Sequence, residues 1–278
     1  MTEQNSIQSW YTQLAETYTA QQRESWYSEA AEAYNRVRPR YPAIVINRVL
    51  ELAQLPSGAN ILELGCGPAI ATTEFAKRGF SLLCLEPSQA ASQLAQQNCV
   101  QYSQVKIIQT TFEAWELQPQ QFDAVLAATS FHWIEPEISC VKAAQALKEK
   151  GFLILLWNTP PQPSYEIHQK LQEIYQIHAP DLAEYQSHAV HEQNIRQLGE
   201  TVTNSGLFQG LVYQQYVFYV AYSIDDYLAL LSTLSPYIKL DSQQRNALFI
   251  DLKKALEKMG KNLMSLSYLS AFHLAQKA

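Results

Sequence analysis

The feature that most constrains the fold is the segment at residues 61–69, ILELGCGPA. It predicts a buried strand that carries Glu63 near its end, a tight turn with Gly65 and Gly67, and then the start of a helix. Glycines at such a turn let backbone N–H groups approach a ligand, and the helix start adds positive potential. The next apolar run ends in a second acidic residue, Glu86, at the place where nucleotide-binding folds hold ribose hydroxyls. The segment therefore predicts a site for a nucleoside cofactor.

Short apolar segments alternate with helical segments through the middle of the chain. Such segments are typical of parallel strands covered on both faces, and their alternation with helices predicts right-handed βαβ units in a doubly wound α/β sheet. Ligands bind beyond the carboxyl ends of the strands in such sheets, where Gly65, Glu86 and Ala128 are expected to converge. A helix is predicted over residues 135–150, ended by Gly151. The predicted strands are residues 60–64, 81–86, 105–108, 124–128 and 152–157.

The composition limits the classes of function. A formal net charge of −6 in 278 residues argues against nucleic acid as the main partner, because phosphate binding needs concentrated Lys and Arg. The four cysteines have no CxxC spacing, so free thiols in a reducing compartment are expected. A signal-peptide pattern is absent, and no apolar run approaches the ~20 residues of a membrane span, which predicts a cytoplasmic protein without a span. His188, His191 and Glu192 lack an HExxH pattern and are interpreted as a loop, so no metal is predicted.

The details of the glycine turn distinguish between nucleoside cofactors. A dinucleotide fingerprint needs a glycine where Ile70 stands. An acidic residue two positions before Gly65, as Glu63 is here, resembles instead motif I of the class I S-adenosylmethionine (SAM) methyltransferases. Ala69 departs from that family's pattern, which usually has a glycine at this position.

The resemblance extends over roughly residues 34–158. Glu86 matches the family's ribose-binding acid, TFE at residues 111–113 matches its adenine-binding loop, and FDAVLAATSFHW at residues 122–133 is similar to its fourth strand and the segment beyond. RPRYP at residues 38–42 is similar to the small-molecule branch that includes the trans-aconitate methyltransferases (methyltransferase type 11).

This resemblance implies a Rossmann-like fold with a seven-stranded, mostly parallel sheet and helical lid insertions, and it implies SAM as the cofactor. Glu86 would accept hydrogen bonds from both ribose hydroxyls. His132 follows the fourth strand, where the family places groups that face the acceptor atom, so it is the candidate catalytic base; a structural histidine is the other interpretation. The remaining candidate cofactor-binding residues are Glu63, Gly65 and Gly67 at the methionine end, Thr111 and Phe112 beside adenine, and Ala128, Tyr34 and Arg38.

Two aromatic residues and one arginine complete the predicted site. Tyr34 or Trp133 is expected to face the sulfonium through a cation–π contact. Arg38 is expected to bind a carboxylate, either of the methionine part of SAM or of an acidic substrate. A solvated basic patch formed with the neighbouring arginines is the alternative interpretation.

We predict three parts along the chain. Residues 1–42 form an N-terminal helical cap, residues 43–158 form the SAM-binding core, and residues 159–278 form the rest of the sheet with an inserted helical substrate lid. The cap contains a repeated pattern, SWYTQLAETY and then SWYSEAAEAY, which fits two amphipathic helices. Helices at residues 223–260 would lie between the last two strands, and the final strand would run antiparallel to the rest.

The predicted activity is transfer of a methyl group from SAM to a small-molecule acceptor by direct in-line displacement. The arginines favour a carboxylate acceptor. Three alternatives stay open. One is an NAD(P)-dependent oxidoreductase, disfavoured by Glu63 and Ile70, and another is a non-catalytic SAM-binding scaffold or sensor, which Ala69 permits. The third is a relative of the cyclopropane-fatty-acid synthases, disfavoured because no segment indicates a lipid tunnel. The oligomeric state does not follow from the sequence.

Overall fold

The computed structural model describes residues 20–260 and 263–278, with side chains described from residue 28 onward except at residues 136–137. The first copy of the repeated pattern lies outside the described residues. The second copy lies in helix α1 (Ala20–Val37), and an extended segment then leads through Pro42 to helix α2 (Ala43–Ala53). Two helices therefore precede the sheet in the described chain, and the segment between them is the RPRYP motif.

The described strands form a seven-stranded sheet in the order β3-β2-β1-β4-β5-β7-β6. Strands β1 to β5 are parallel, whereas β7 runs antiparallel to both β5 and β6. The chain order reverses between β1 and β4, and sheets of this kind bind ligands beyond the strand ends at such a reversal. The predicted doubly wound, mostly parallel sheet is confirmed. Its strands are β1 (Asn60–Leu64), β2 (Ser81–Leu85), β3 (Val105–Ile108), β4 (Phe122–Ala128), β5 (Leu147–Asn158), β6 (Phe208–Ser223) and β7 (Leu263–Lys277).

Helices connect the strands on both faces of the sheet. Ser223 and Asp241 begin two of the helices inserted between β6 and β7, since the Ser223 side chain accepts from the amide of Asp226 and Asp241 from the amides of two following residues. The predicted insertion between the last two strands is confirmed. The helices are α3 (Ile70–Ala76), α4 (Gln89–Asn98), α5 (Pro136–Ala146), α6 (Tyr165–His178), α7 (His188–Asn204), α8 (Ile224–Ser232), α9 (Ser235–Ile238) and α10 (Ser242–Lys258).

Two local predictions are wrong. The helix predicted over residues 135–150 ends at Ala146, because Leu147 already pairs with Phe122 of β4 and begins β5. Gly151 therefore lies inside β5, where a Cβ would come within 3.1 Å of the Lys148 carbonyl oxygen. The segment 188–192 was expected to be a loop, but it forms the first turns of α7, capped by the side chain of the preceding serine.

The β6–β7 pair extends past the rest of the sheet and carries the inserted helices. β5 ends at Asn158, opposite Ser270, whereas β7 begins at Leu263 and stays paired with β6 over its whole length. The extra length projects beyond the carboxyl ends of the parallel strands, the edge where a ligand is expected. There the inserted helices form a separate apolar cluster that also receives Val37 from α1. Among the described residues, no helix combines the length and apolar character needed to cross a membrane.

Candidate functional site

A cavity opens at the carboxyl ends of the parallel strands. Its walls are the glycine turn after β1, the loops after β2, β3 and β4, and the segment between α1 and α2. Two of the predicted site residues, Glu63 and His132, do not line it. The other eight do, although they come from distant parts of the chain: Tyr34, Arg38, Gly65, Gly67, Glu86, Thr111, Phe112 and Ala128. Their contact with a cofactor stays a prediction.

The glycine turn presents bare main chain to the cavity. Gly65 and Gly67 have φ angles of 64° and 55°, which side chains rarely adopt. A Cβ on Gly65 would lie 2.9 Å from the Cβ of Ser130, whereas a Cβ on Gly67 would meet no atom within 4 Å. The space beside Gly67 is therefore a cradle that a ligand can fill. Ala69 has a φ of 67°, a conformation that costs an L-residue free energy, and this gives a physical reason for a glycine at that position.

Glu86 fixes the glycine turn from the next strand. One carboxylate oxygen accepts from the amide of Gly67 and the other from the amide of Ser88, both at 2.8 Å. The carboxylate is nearly buried and still lies on the cavity wall. A carboxylate oxygen has two acceptor positions, so one oxygen can hold a backbone amide and a ligand hydroxyl at the same time.

Glu63 lies under the turn rather than on the cavity wall. It is fully buried; one carboxylate oxygen accepts from the Thr72 hydroxyl at 2.7 Å, and the other has no hydrogen-bond partner among the described residues. Burial raises the pKa of Glu63 to about 7. The structure therefore places Glu63 as a support for the turn, without contact to the cavity.

The predicted adenine side is fixed by a residue that the sequence did not single out. Thr111 and Phe112 follow β3, and the ring of Phe112 stacks on Trp115 with centroids 6.2 Å apart. The Lys142 ammonium, from α5, donates to the carbonyl oxygens of Phe112 and Glu113 at 2.7 and 3.0 Å. Burial lowers the pKa of Lys142. Lys142 binds carbonyl oxygens of the loop's main chain, which any residue type carries. The sequence of the loop therefore does not predict this partner.

The opposite wall is formed by residues 34–42, which we call the strap. Tyr34 and Arg38 both line the cavity, with the guanidinium 4.7 Å from the tyrosine ring centroid. Arg38 donates to the hydroxyl and to the carbonyl oxygen of Thr233 at the end of α8, both at 2.8 Å. These bonds use two of its five N–H donors. The strap is thereby fastened to the inserted helices.

Further contacts fasten the strap to the sheet. The Asn158 amide group donates to the Pro39 carbonyl at 3.2 Å, and the hydroxyls of Tyr41 and Thr129 are 2.8 Å apart. Thr129 has a φ of 58°, unusual for a β-branched residue, directly after β4. Burial raises the pKa of Tyr41 above its ordinary range. Thr129 and Asn158 line the cavity and carry no motif; only their positions at strand ends could have pointed to them.

His132 lies next to the cavity wall but is not part of it. It lies in a short 3-10 helix after β4, with its ring 4.8 Å from the ring of Trp133 and 5.8 Å from that of Trp157. Trp133 lines the cavity, but His132 does not. The role of His132 as a catalytic base stays a prediction, and its packing against two tryptophan rings agrees with the structural interpretation.

Comparison with known sequences points to one family. A family model described as a methyltransferase domain matches residues 62–155. An uncharacterized methyltransferase of Mycobacterium bovis is 30% identical over 124 residues, which is 45% of this chain and 48% of the relative. The chain thus spans about half the length of the curated relatives it matches. The matched region contains the glycine turn, Glu86 and the loops after β3 and β4.

Solved structures have the same fold. A protein described as a type II methyltransferase from Anaeromyxobacter dehalogenans aligns with a TM-score of 0.61 and 18% identity, covering 86% of this chain and 97% of its own. The phosphoethanolamine N-methyltransferase 2 of Haemonchus contortus, in complex with phosphomonomethylethanolamine and S-adenosylhomocysteine, aligns with a TM-score of 0.51 and 15% identity, covering 90% and 57%. At these identities the likeness shows the fold alone.

Proposed function

We propose that this chain, whose residues 62–155 are a methyltransferase domain and whose sheet has the class I fold, transfers a methyl group from SAM to a small molecule. The carrying observation is the bond between Glu86 and Gly67. It joins the acidic tip of β2 to the bare turn after β1 at the rim of one cavity. The domain boundaries at residues 42 and 158 and the cytoplasmic location stay predictions.

The residues of the cavity fit SAM. Glu86 would bind the ribose hydroxyls, the turn at Gly65 and Gly67 would hold the methionine part, and Phe112 would lie against adenine. The aromatic ring of Tyr34, with that of Trp133, would face the positive sulfonium. Bound SAM supplies an electrophilic methyl group with a good leaving group. The protein then has to align the acceptor and exclude water, and alignment alone contributes a large part of such rate enhancements.

The acceptor that fits best is a carboxylate. Among the described residues that line the cavity there is neither a histidine nor a lysine, and a hydrogen bond with Cys84, together with burial, holds the pKa of Cys66 well above its ordinary value. Glu86 is engaged with two backbone amides. A carboxylate is already deprotonated at neutral pH and needs no base. Its oxygen forms the bond to the methyl carbon while the carbon–sulfur bond breaks, the electron pair stays on sulfur, and no proton is released. Arg38 would attract its charge.

Calorimetric titration with SAM tests the cofactor site. We expect Glu86→Ala to weaken binding by about 1–3 kcal/mol, because ribose hydroxyls and the Gly67 amide lose their acceptor. Glu116→Ala, an exposed acid outside the cavity, is the matched control and should bind SAM normally. Equal affinity of the two variants would contradict the ribose assignment.

Transfer of labelled methyl groups to small carboxylic acids, compared with amines and phenols, tests the class of acceptor. SAM binding without turnover of any acceptor would favour the scaffold alternative.

A further inference from the structure

The loop after β3, which forms the predicted adenine side of the cavity, receives few main-chain contacts from the sheet. β3 is the outermost strand on its side of the sheet and, with four residues, the shortest of the described strands. The rings of Phe112 and Trp115 pack in a core cluster. Within the loop, however, the amides of Ala114 and Trp115 bond only locally, to the hydroxyl and the carbonyl oxygen of Thr111. Segments held by local hydrogen bonds are among the less stable parts of a fold, so a contact from another element decides how firmly this main chain is held.

Lys142 of α5 provides this contact. Its ammonium donates to three carbonyl oxygens, those of Phe112, Glu113 and Trp115, the first two at 2.7 and 3.0 Å. An ammonium has three N–H donors, so these bonds use all of them. The same charge lies 5.2 Å from the ring centroid of Phe112 and 5.7 Å from that of Trp115, within the range of a cation–π contact. One side chain thus holds the main chain of the loop and contacts both of its rings.

Lys142 can influence a ligand only through this loop. Phe112 and Glu113 line the cavity and are held by Lys142 through their carbonyl groups, whereas Lys142 is not part of the lining. Hydrogen bonds from a charged donor are about twice as strong as those between neutral groups. Such a support fixes the groups that touch a ligand before the ligand arrives, and this lowers the cost of ordering them during binding.

We propose that Lys142 is a positioning residue of the cofactor site, which keeps the loop after β3 in the conformation that binds the nucleoside part of SAM. This inference rests on the proposed function, in which Phe112 lies against adenine. Without the ammonium, the ligand would have to order the loop when it binds. Fixing the backbone of one residue costs about five- to thirtyfold in affinity, and Lys142 binds three residues of the loop.

Calorimetric titration with two ligands tests the proposal. Lys142→Met removes the ammonium and keeps an unbranched side chain of similar length. We expect this variant to bind SAM about tenfold more weakly or worse, and to lose affinity for adenosine by the same factor, because the loop contacts the part that both ligands share. Lys106→Met is the matched control, since it removes an exposed lysine of β3 just before the same loop. It should bind both ligands as the wild type does.

Amide hydrogen exchange in the ligand-free protein separates a positioning role from a general structural role. In Lys142→Met, the amides of Ala114 and Trp115 should exchange about tenfold faster than in the wild type, while exchange in the glycine turn at residues 65–69 stays unchanged. Saturating SAM should reduce the difference, because the ligand then orders the loop. Circular dichroism checks that each variant is folded. If Lys142→Met does not fold, Lys142→Gln keeps two N–H donors without the charge and should show the same pattern with a smaller loss.

The remaining outcomes contradict the proposal and differ in what else they contradict. If Lys142→Met binds SAM as tightly as the wild type, the lysine does not position the loop, and the proposed cofactor site is unaffected. A loss of affinity for SAM without a loss for adenosine means that Lys142 does not act on the nucleoside part. Equally faster exchange in the loop and in the glycine turn means that the lysine stabilises the domain as a whole. A wild-type protein that binds neither SAM nor adenosine rejects the proposed function itself.

Discussion

The two walls of the cavity are built in different ways. On the cofactor wall, which is formed by the glycine turn, Glu86 and the loop after β3, the contacts of the turn join residues close in sequence, such as Glu86 to Gly67 and Glu63 to Thr72. Lys142 binds the loop after β3 from a neighbouring helix.

The acceptor wall is the strap, and residues far along the chain hold it in place. Arg38 donates to Thr233, which lies at the end of α8 in the insertion that follows β6. The first wall forms when the parallel strands assemble. The second also needs the insertion that follows β6, so we expect that it can change without disturbing the first.

The largest expected effect breaks the cofactor wall alone. Gly67→Val puts a β-branched side chain into the cradle at a residue whose φ is positive, so the space is filled and the backbone is strained. We expect at least a hundredfold loss of SAM affinity, measured by calorimetry. Gly79→Val is the control: its φ is 83° and its Cβ also meets no atom, but it lies outside the cavity. If both variants lose the same affinity, backbone strain explains the loss and the cradle does not.

Because Glu63 is buried, the stability of the protein should depend on pH. The pKa of Glu63 is raised from 4.5 to about 7, so the neutral form stabilises the fold below pH 4.5 and that contribution is lost as the pH rises through 7. Gln is neutral at every pH, so the free energy of unfolding of Glu63→Gln should exceed that of the wild type by up to about 3 kcal/mol at pH 8. The two proteins should differ little at pH 4.5. Urea unfolding of both proteins across this pH range measures these free energies. Parallel pH profiles for the two proteins would contradict the raised pKa.

A change at the other wall tests whether the walls are independent. Thr233→Val keeps the shape of the side chain but removes the hydroxyl that accepts from Arg38. The KM for the acceptor should rise by roughly five- to tenfold, since about one hydrogen bond to a charged group is lost, while the affinity for SAM stays within about twofold. Ser232→Ala, which removes a hydroxyl that donates to the Ala229 carbonyl at the same helix end, is the control. A parallel loss of SAM affinity would show that the walls are coupled.

The smallest effect concerns the strained position in the glycine turn. Ala69→Gly should stabilise the protein by about 0.5 kcal/mol, because relief of the left-handed strain slightly exceeds the added entropy of the unfolded chain. Thermal unfolding should move up by about 1–2 °C. Ala71→Gly, inside helix α3, should instead destabilise by about 1 kcal/mol. A loss of stability in both variants would mean that Ala69 is not strained.

The sequence predicts well what depends on near neighbours. Short patterns of residues predict three kinds of feature: the turn at Gly65 and Gly67, the strand ends at Glu86 and Ala128, and the helix start at Ser223. The sheet follows from these patterns because parallel strands with helical crossovers have few arrangements.

What the sequence does not predict depends on distant packing. His132 packs against Trp157, which lies on another strand, and Lys142 binds the loop after β3 from a helix about thirty residues away. Glu63 has the spacing of a ligand-binding acid, yet its side chain is fully buried and accepts a hydrogen bond from Thr72 of α3. Asn158 carries no signal because its role arises only where β5, β7 and the strap meet.

The position of β7 also governs how the fold can be completed during synthesis. This strand leaves the ribosome after all the others described here, yet it sits inside the sheet and covers one edge of β5 and one edge of β6. Until residue 277 has emerged, two apolar strands stay open to pairing with other chains. Removing the last ten described residues would leave the facing edge of β5 and part of that of β6 unpaired, which favours aggregation.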